Sequence, residues 1–518
     1  MASFSQSGTA AMRARLDLTD LTLGQFALLF AACFLIAALP VLVVATPPLL
    51  DYPNHLARMH IETVYQRSPF LQQFYALDWR PIPNLAMDLV VPPLARIMPL
   101  AWAGKAFLLA IFLLMAGGTA ALHRTLFGRW SAWSLLAFLL LYNRILLWGF
   151  VNFLFGIGLL MVATASWIAL RERALWLRLL IAALLALALY LAHLFAFATY
   201  AFVILGYEIS RFYRQGRLFS LGGLGELCAS GLQFVPVLAL LVLTAAPGSG
   251  GEIGWSRFVR KLDLLFNIVD NYHRWFDIAT FALLVALFAA AAFARVLKLS
   301  RAMVAPLLLL CLVQLAMPNR LFNGTGVDHR MPLVLALLLI GASSIALADR
   351  RRQSLLAALL ALLFVTRIGI VTVSWTGFDR SYAPLAAALA RLPPGSLLAV
   401  ASPPASVHVS TEEGPMTHVA SLAVIAADAF VPTLFVFPDQ QPLRFREPYT
   451  ALAHSASPED FWRFIVDGKG DEAGGVAAAL SRYDYVLVTD QAAVRTGDAT
   501  GLDIVARLAD AALLKIRH

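Results

Sequence analysis

Residues 46–60 read TPPLLDYPNHLARMH and hold Asp51, Asn54, His55, Arg58 and His60 within ten positions. Pro53 suits the first turn of a helix, which would leave Asp51 just ahead of the helix's positive end. A carboxylate there can take the proton from a hydroxyl or amine as that group attacks an electrophile. It can equally serve as a plain helix cap. Asp51 and His55 stand one helical turn apart, so with His60 they could hold a metal ion. No HExxH or paired-cysteine spacing supports one. Otherwise His55 and His60 read as interfacial hydrogen-bonding residues.

Three further stretches carry comparable chemistry. DHRMP, residues 328–332, sets Asp328, His329 and Arg330 at the mouth of an apolar segment. An arginine there can grip a phosphate with a bidentate fork or snorkel to lipid headgroups. YNRILLWGFVNFLFG, residues 142–156, places Asn143, Arg144 and Asn152 around a tight turn. An isolated charge such as Arg144 at membrane depth is either functional or paired. His193 sits in the next turn on that side, in LAHLF. The basic, aromatic stretch 255–277 reads chiefly as an interfacial anchor. Walker A, Rossmann and GxSxG patterns are absent, so nothing points to ATP-driven transport or nicotinamide chemistry.

The elements that must position these residues are membrane helices. Of 518 residues, 60% are hydrophobic and 14% charged, and mean hydropathy is +0.75. Soluble domains run near 45–50% apolar and 25% charged. Apolar segments at about 24–46, 102–122, 131–147, 151–170, 174–190, 192–209, 218–245, 276–296, 302–318, 331–348 and 354–374 predict eleven helices. The first is long enough to be a retained span rather than a cleaved leader. Short basic connections at 124–129, 171–178, 211–217, 295–301 and 350–352 are every second connection and so fall on one side, which puts the N-terminus in the cytoplasm. The net charge of +9 follows from those loops and needs no nucleic acid. The three cysteines sit in apolar segments and offer no disulfide framework.

All four polar stretches then face outward. The outer loop 47–101 also holds Glu62, Asp78, Arg80, Asn84 and Asp88, and it is far longer than a helix connection needs to be. After residue 375 the texture changes. SYAPLAAALARL and SPEDFWRFIV read as helices, and SLLAVAS and RYDYVLVTD as buried strands. The expected architecture is a polytopic α-helical membrane domain, residues 1–375, followed by an extracytoplasmic α/β domain, residues 376–518.

This layout resembles the GT-C superfamily of integral membrane glycosyltransferases, which includes protein O-mannosyltransferases and lipid A aminoarabinose transferases. The resemblance rests on the run of spans, the long first outer loop, LLDYPNHLAR after the first span, DHRMP near a late outer helix end, and the outer C-terminal domain. It implies an enzyme of the bacterial inner membrane that transfers a hexose or pentose from a polyprenyl-phosphate donor to a glycan, lipid or protein acceptor. Asp51 would act as general base in an inverting reaction. Arg330 would hold the donor phosphate, with Arg58 or Arg144 assisting. Asn54, His55, Asp78, Asn152, His193, Asp328 and His329 would line the substrate site. No cofactor is required, and a divalent cation is compatible with the scheme. Many relatives carry two adjacent acids in the first loop, whereas here Tyr52 follows Asp51, leaving Asp78 or Asp88 to supply a second. The competing readings are a lipid or polysaccharide transporter, which would carry polar residues and broken helices at mid-membrane, and a scaffold with an outer module.

Overall fold

The computed structural model describes residues 17–244, 253–321, 324–404, 414–437, 440–468, 474–489, 501–508 and 511–518. Among them, eight helices are long and apolar enough to cross a membrane: Leu23–Val43, Leu100–Phe127, Val151–Ala169, Leu175–Ala192, Leu194–Arg214, Leu221–Thr244, Arg274–Phe293 and Arg350–Leu389. Each coincides with an expected span. Their outer faces stay apolar, with Leu28 73% and Leu35 68% exposed, as lipid contact requires. Helices Leu100–Phe127 and Val151–Ala169 approach through facing glycines. A Cβ on Gly158 would lie 2.5 Å from Leu114 Cβ, and one on Gly118 would lie 2.8 Å from Met161 Cβ. The chain is a multi-pass membrane protein.

Three expected spans differ. Segments 302–318 and 331–348 form the shorter helices Val304–Ala316 and Met331–Ala342, the latter giving way to a short strand, Ser343–Ile345, paired with Leu297–Leu299. Segment 131–147 is a 3-10 coil, Ala132–Leu140, followed by one α-turn, Arg144–Leu147. Nine residues at the 3-10 rise span about 18 Å, short of the roughly 30 Å core. Asn143 makes the break. Its amide donates to the Leu140 and Leu141 carbonyls, while its oxygen accepts from the Ile145 and Leu146 N–H groups. The membrane half is also less purely apolar than hydropathy suggests. Arg367 meets Asp277 at 2.7 Å, and Glu208 takes both Arg178 and Arg211, so these charges are paired as intramembrane charges must be.

The outer loop is ordered. Helix Tyr52–Val64 is followed by helix Pro69–Phe74, strand Tyr75–Leu77 and helix Ala86–Ala95. Its Ala57, Ile61, Leu71, Phe74 and Tyr75 share a buried cluster with the C-terminal region, and Tyr75–Leu77 pairs antiparallel with Leu443–Phe445. Arg58 is consumed inside this loop. It donates to Asp88 from Nε at 2.7 Å and from a terminal nitrogen at 3.1 Å, fully buried. Burial and the neighbouring Asp88 push the Glu62 carboxyl well above the usual range, so Arg58 and Asp88 balance as one ion pair. We expect Arg58→Ala to cost about 3 kcal/mol or more by stranding the Asp88 charge, read as a lower melting temperature in detergent. Arg58→Met combined with Asp88→Leu should recover most of the loss.

The C-terminal region builds a four-stranded mixed sheet ordered Leu398–Ala401, Tyr485–Thr489, Ala511–Ile516, Leu502–Arg507. The first pair is parallel and the others antiparallel. The parallel pair, Leu398–Ala401 and Tyr485–Thr489, is made of nearly continuous apolar runs because both faces are covered. Ser457 and Asp460 close a capping box at the helix expected there. One helix, Arg350–Leu389, joins the halves without interruption; 40 residues at the α-helical rise extend about 60 Å. Asp379 on this helix accepts from the Ala45 N–H at 2.8 Å, and Tyr382, one turn on, donates from its hydroxyl to the Pro415 carbonyl.

Candidate functional site

Asp51 immediately precedes helix Tyr52–Val64, yet its side chain makes no capping hydrogen bond, so the carboxyl is left for other work. Its backbone is fixed instead. Leu50 N donates to Leu147 O at 2.9 Å and Asp51 N to Trp148 O at 3.2 Å. Gly149 lies directly against it with φ +85°, where an added Cβ would stand 2.8 Å from Asp51 N. Only glycine tolerates both the left-handed backbone and that approach. We expect Gly149→Ala to displace Asp51 and to lower about tenfold or more any rate that depends on its carboxyl, measured on membranes holding normal amounts of protein.

Arg330 closes the opposite side, just ahead of helix Met331–Ala342. Its guanidinium lies over the Phe150 ring at 4.8 Å and the Phe153 ring at 5.6 Å. Its Nε has no partner, and one terminal nitrogen is 3.3 Å from His193 Nε2. Burial pushes the Asp51 carboxyl up to about 8, with Arg330 pulling the other way. Burial likewise lowers Arg330 to about 10, offset by Asp51.

The His193 ring lies between the Phe195 backbone and Arg330. Its Nδ1 accepts from the Phe195 N–H at 3.1 Å, and burial followed by Arg330 drives its pKa well below the usual value. The imidazole is therefore neutral with its proton assigned to Nε2. That N–H and the Arg330 guanidinium are then both donors, 3.3 Å apart. Two donors side by side, one of them cationic, suit an anionic oxygen.

His329 stacks near Trp148, with ring centroids 5.0 Å apart, and its Nδ1 meets the Asn267 amide at 2.9 Å. Arg144 lies close enough to affect the His329 charge but is bound to Asp270, with Nε at 2.9 Å. The structure thus brings Asp51, Arg330 and His193 together, with His329 and Arg144 alongside.

The remaining candidates have protein partners elsewhere. Asn54 donates to the Thr433 carbonyl at 3.0 Å and accepts from the Phe435 N–H at 2.7 Å, clamping the C-terminal region. His55 is buried, hydrogen-bonded to the Gly149 backbone and lowered to about 3 by burial and Arg58. Asp78 pairs with Arg444 and Arg80. Asn152 bridges Asn84 and the Met87 N–H. Asp328 takes Asn319 and Ser256, with Lys261 at 3.8 Å. Neither Asp78 nor Asp88 stands beside Asp51 as a second acid. His60 pairs with Asp428 at 2.8 Å rather than turning to Asp51. Among the described residues, no three His, Cys, Asp or Glu side chains converge as metal ligands. Tyr52 is buried with its ring against Gly104, a packing role.

One residue near Asp51 had no sequence signal. His418, from the C-terminal region, places Nε2 3.6 Å from Asp51 Oδ1. It lies in no recognisable motif and reaches the site only through the fold.

No family model matches the chain, and no curated protein does. Among solved structures, the crystal structure of ArnT from Cupriavidus metallidurans bound to undecaprenyl phosphate superposes with a TM-score of 0.53 at 11% identity, covering 95% of this chain and 98% of that one. The apo structure of the same protein gives 0.51 at 12% identity, covering 94% and 97%. Over nearly its whole length, the chain therefore has the fold of ArnT, a lipid A aminoarabinose transferase of the GT-C superfamily.

Proposed function

We propose that the protein is an inverting membrane glycosyltransferase. It moves a sugar from a polyprenyl-phosphate donor to a glycan, lipid or protein acceptor on the outer face of the membrane, with the N-terminus cytoplasmic and residues 376–518 periplasmic. The observation that carries this reading is the grouping of a mostly buried carboxyl, Asp51, with the Arg330 guanidinium, which acts on its charge and keeps an unpaired Nε, and with His193 3.3 Å from that guanidinium. ArnT, whose fold the chain shares, has been crystallised with undecaprenyl phosphate, a ligand of the class such donors suit.

The chemistry follows from the groups present. An acceptor hydroxyl or amine attacks the anomeric carbon while its proton passes to an Asp51 carboxylate oxygen. The bond from that carbon to the phosphate oxygen breaks, and its electron pair leaves with the lipid phosphate. Arg330 and the His193 Nε2–H hold the growing phosphate charge. A carboxyl raised to about 8 is a far stronger base near neutral pH than an ordinary aspartate.

The base must be ionised in the free enzyme, so kcat/KM should fall as pH drops through about 8 and level off above it. The test uses full-length protein in proteoliposomes with a panel of undecaprenyl-phosphate sugars. A wild-type enzyme that transfers none of them would sink the proposal. A flat pH profile would remove Asp51 from the role of base.

A further inference from the structure

Asp51 receives a second group, and that group comes from the other half of the molecule. Val419, Ala420, Ala423 and Val424 are buried in one cluster with Ala57 and Ile61 of the Tyr52–Val64 helix. Two hydrogen bonds from the Asn54 amide reach the backbone at Thr433 and Phe435, and His60 meets Asp428 at 2.8 Å. This seating sets His418 beside Asp51, Nε2 to Oδ1 3.6 Å. The Phe435 ring packs edge-on against both nearby imidazoles, with centroids 4.9 Å from His418 and 6.0 Å from His55. His55 is committed to the Gly149 backbone. His418 is committed to nothing else, since its Nδ1 has no partner.

We infer that His418 is a positioning residue for the Asp51 carboxylate: with its proton on Nε2 it donates to Oδ1 when Asp51 is ionised, so the outer domain completes the site. This rests on the reading of Asp51 as the base. The ring faces a carboxyl on one side and has no polar partner on the other, so the Nε2–H tautomer makes the better contact. The contact must shorten by about half an ångström to reach hydrogen-bond distance, which the negative charge of the ionised carboxylate favours by drawing the N–H in. Burial holds His418 at about 4, so the donor is a neutral imidazole. The charged and titratable groups around Asp51 are Arg330 ahead of the Met331–Ala342 helix, His418 from the outer domain and His55 one turn along its own helix, with His193 behind Arg330. Arg330 and His418 both favour the ionised carboxyl, from opposite halves of the protein.

The consequence is measurable without knowing the sugar. Dicyclohexylcarbodiimide modifies protonated carboxyls in apolar surroundings, so labelling of the Asp51 peptide against pH, read by mass spectrometry on the full-length protein in detergent, reports the ionisation of Asp51 directly. His418→Phe fills the same space without a donor and keeps water out, whereas His418→Gln retains an amide donor. Losing one donor to a buried carboxylate should raise the labelling midpoint by about one pH unit in His418→Phe, with His418→Gln staying close to wild type. His418→Leu replaces the Phe variant if that protein does not fold. A midpoint that is unchanged or lowered in the donor-less variant overturns the inference. The transferase reading fails separately, by absence of sugar transfer from the wild type, while the labelling titration still decides whether His418 tunes Asp51.

Discussion

Asp51→Asn is expected to reduce sugar transfer by about 10³-fold or more in kcat, with the donor KM and the melting temperature close to wild type. The substitution keeps the shape of the side chain and removes its ability to accept a proton. Stability should hold because the carboxyl makes no capping hydrogen bond. Below about 8 the folded protein already carries this group largely protonated, so a neutral amide resembles the ground state. Only the step in which the acceptor gives up its proton loses a participant. Single-turnover assays at fixed protein level measure the effect, and transfer at the wild-type rate would exclude Asp51 as base. A variant that lost folding and rate together would assign the residue to structure.

Arg330→Ala should act on the donor instead. Each hydrogen bond between a guanidinium and a phosphate is worth about 1.5–3 kcal/mol, so the donor should bind roughly 10- to 100-fold more weakly, with a further loss in kcat because the phosphate charge grows in the transition state. Arg330→Lys should restore only part of this. A lysine keeps the charge but cannot form the planar fork or stack on Phe150 and Phe153 as arginine does. Undecaprenyl phosphate binding, measured in the Asp51→Asn background, separates affinity from chemistry. Equal affinity with and without the guanidinium would reject the phosphate assignment.

The membrane architecture could be read from hydropathy because lipid-facing surface is a property of composition. Segment 131–147 shows where that signal stops: its residues are as apolar as those of a span, but one side chain, Asn143, decides that the helix ends and restarts. The two groups at the heart of the site, Asp51 and Arg330, were legible because each follows or precedes an apolar segment on the same side. Arg58, Asp78, Asn54 and Asp328 stood as supporting candidates, since a sequence shows charge but not pairing. Their partners, Asp88, Arg444, Thr433 and Ser256, lie on other elements, and those contacts exist only after folding. His418 is the converse case, a residue with no local pattern that the fold carries to the carboxyl.

The unbroken helix Arg350–Leu389 gives the site a common datum. The strand of chain leading to Asp51 is gauged from Asp379 through Ala45, and the strand leading to His418 is gauged from Tyr382 through Pro415. Both contacts are made on neighbouring turns of one rod, so the chain before Asp51 and the chain before His418 are fixed to a single element, much as two parts are machined against one reference edge.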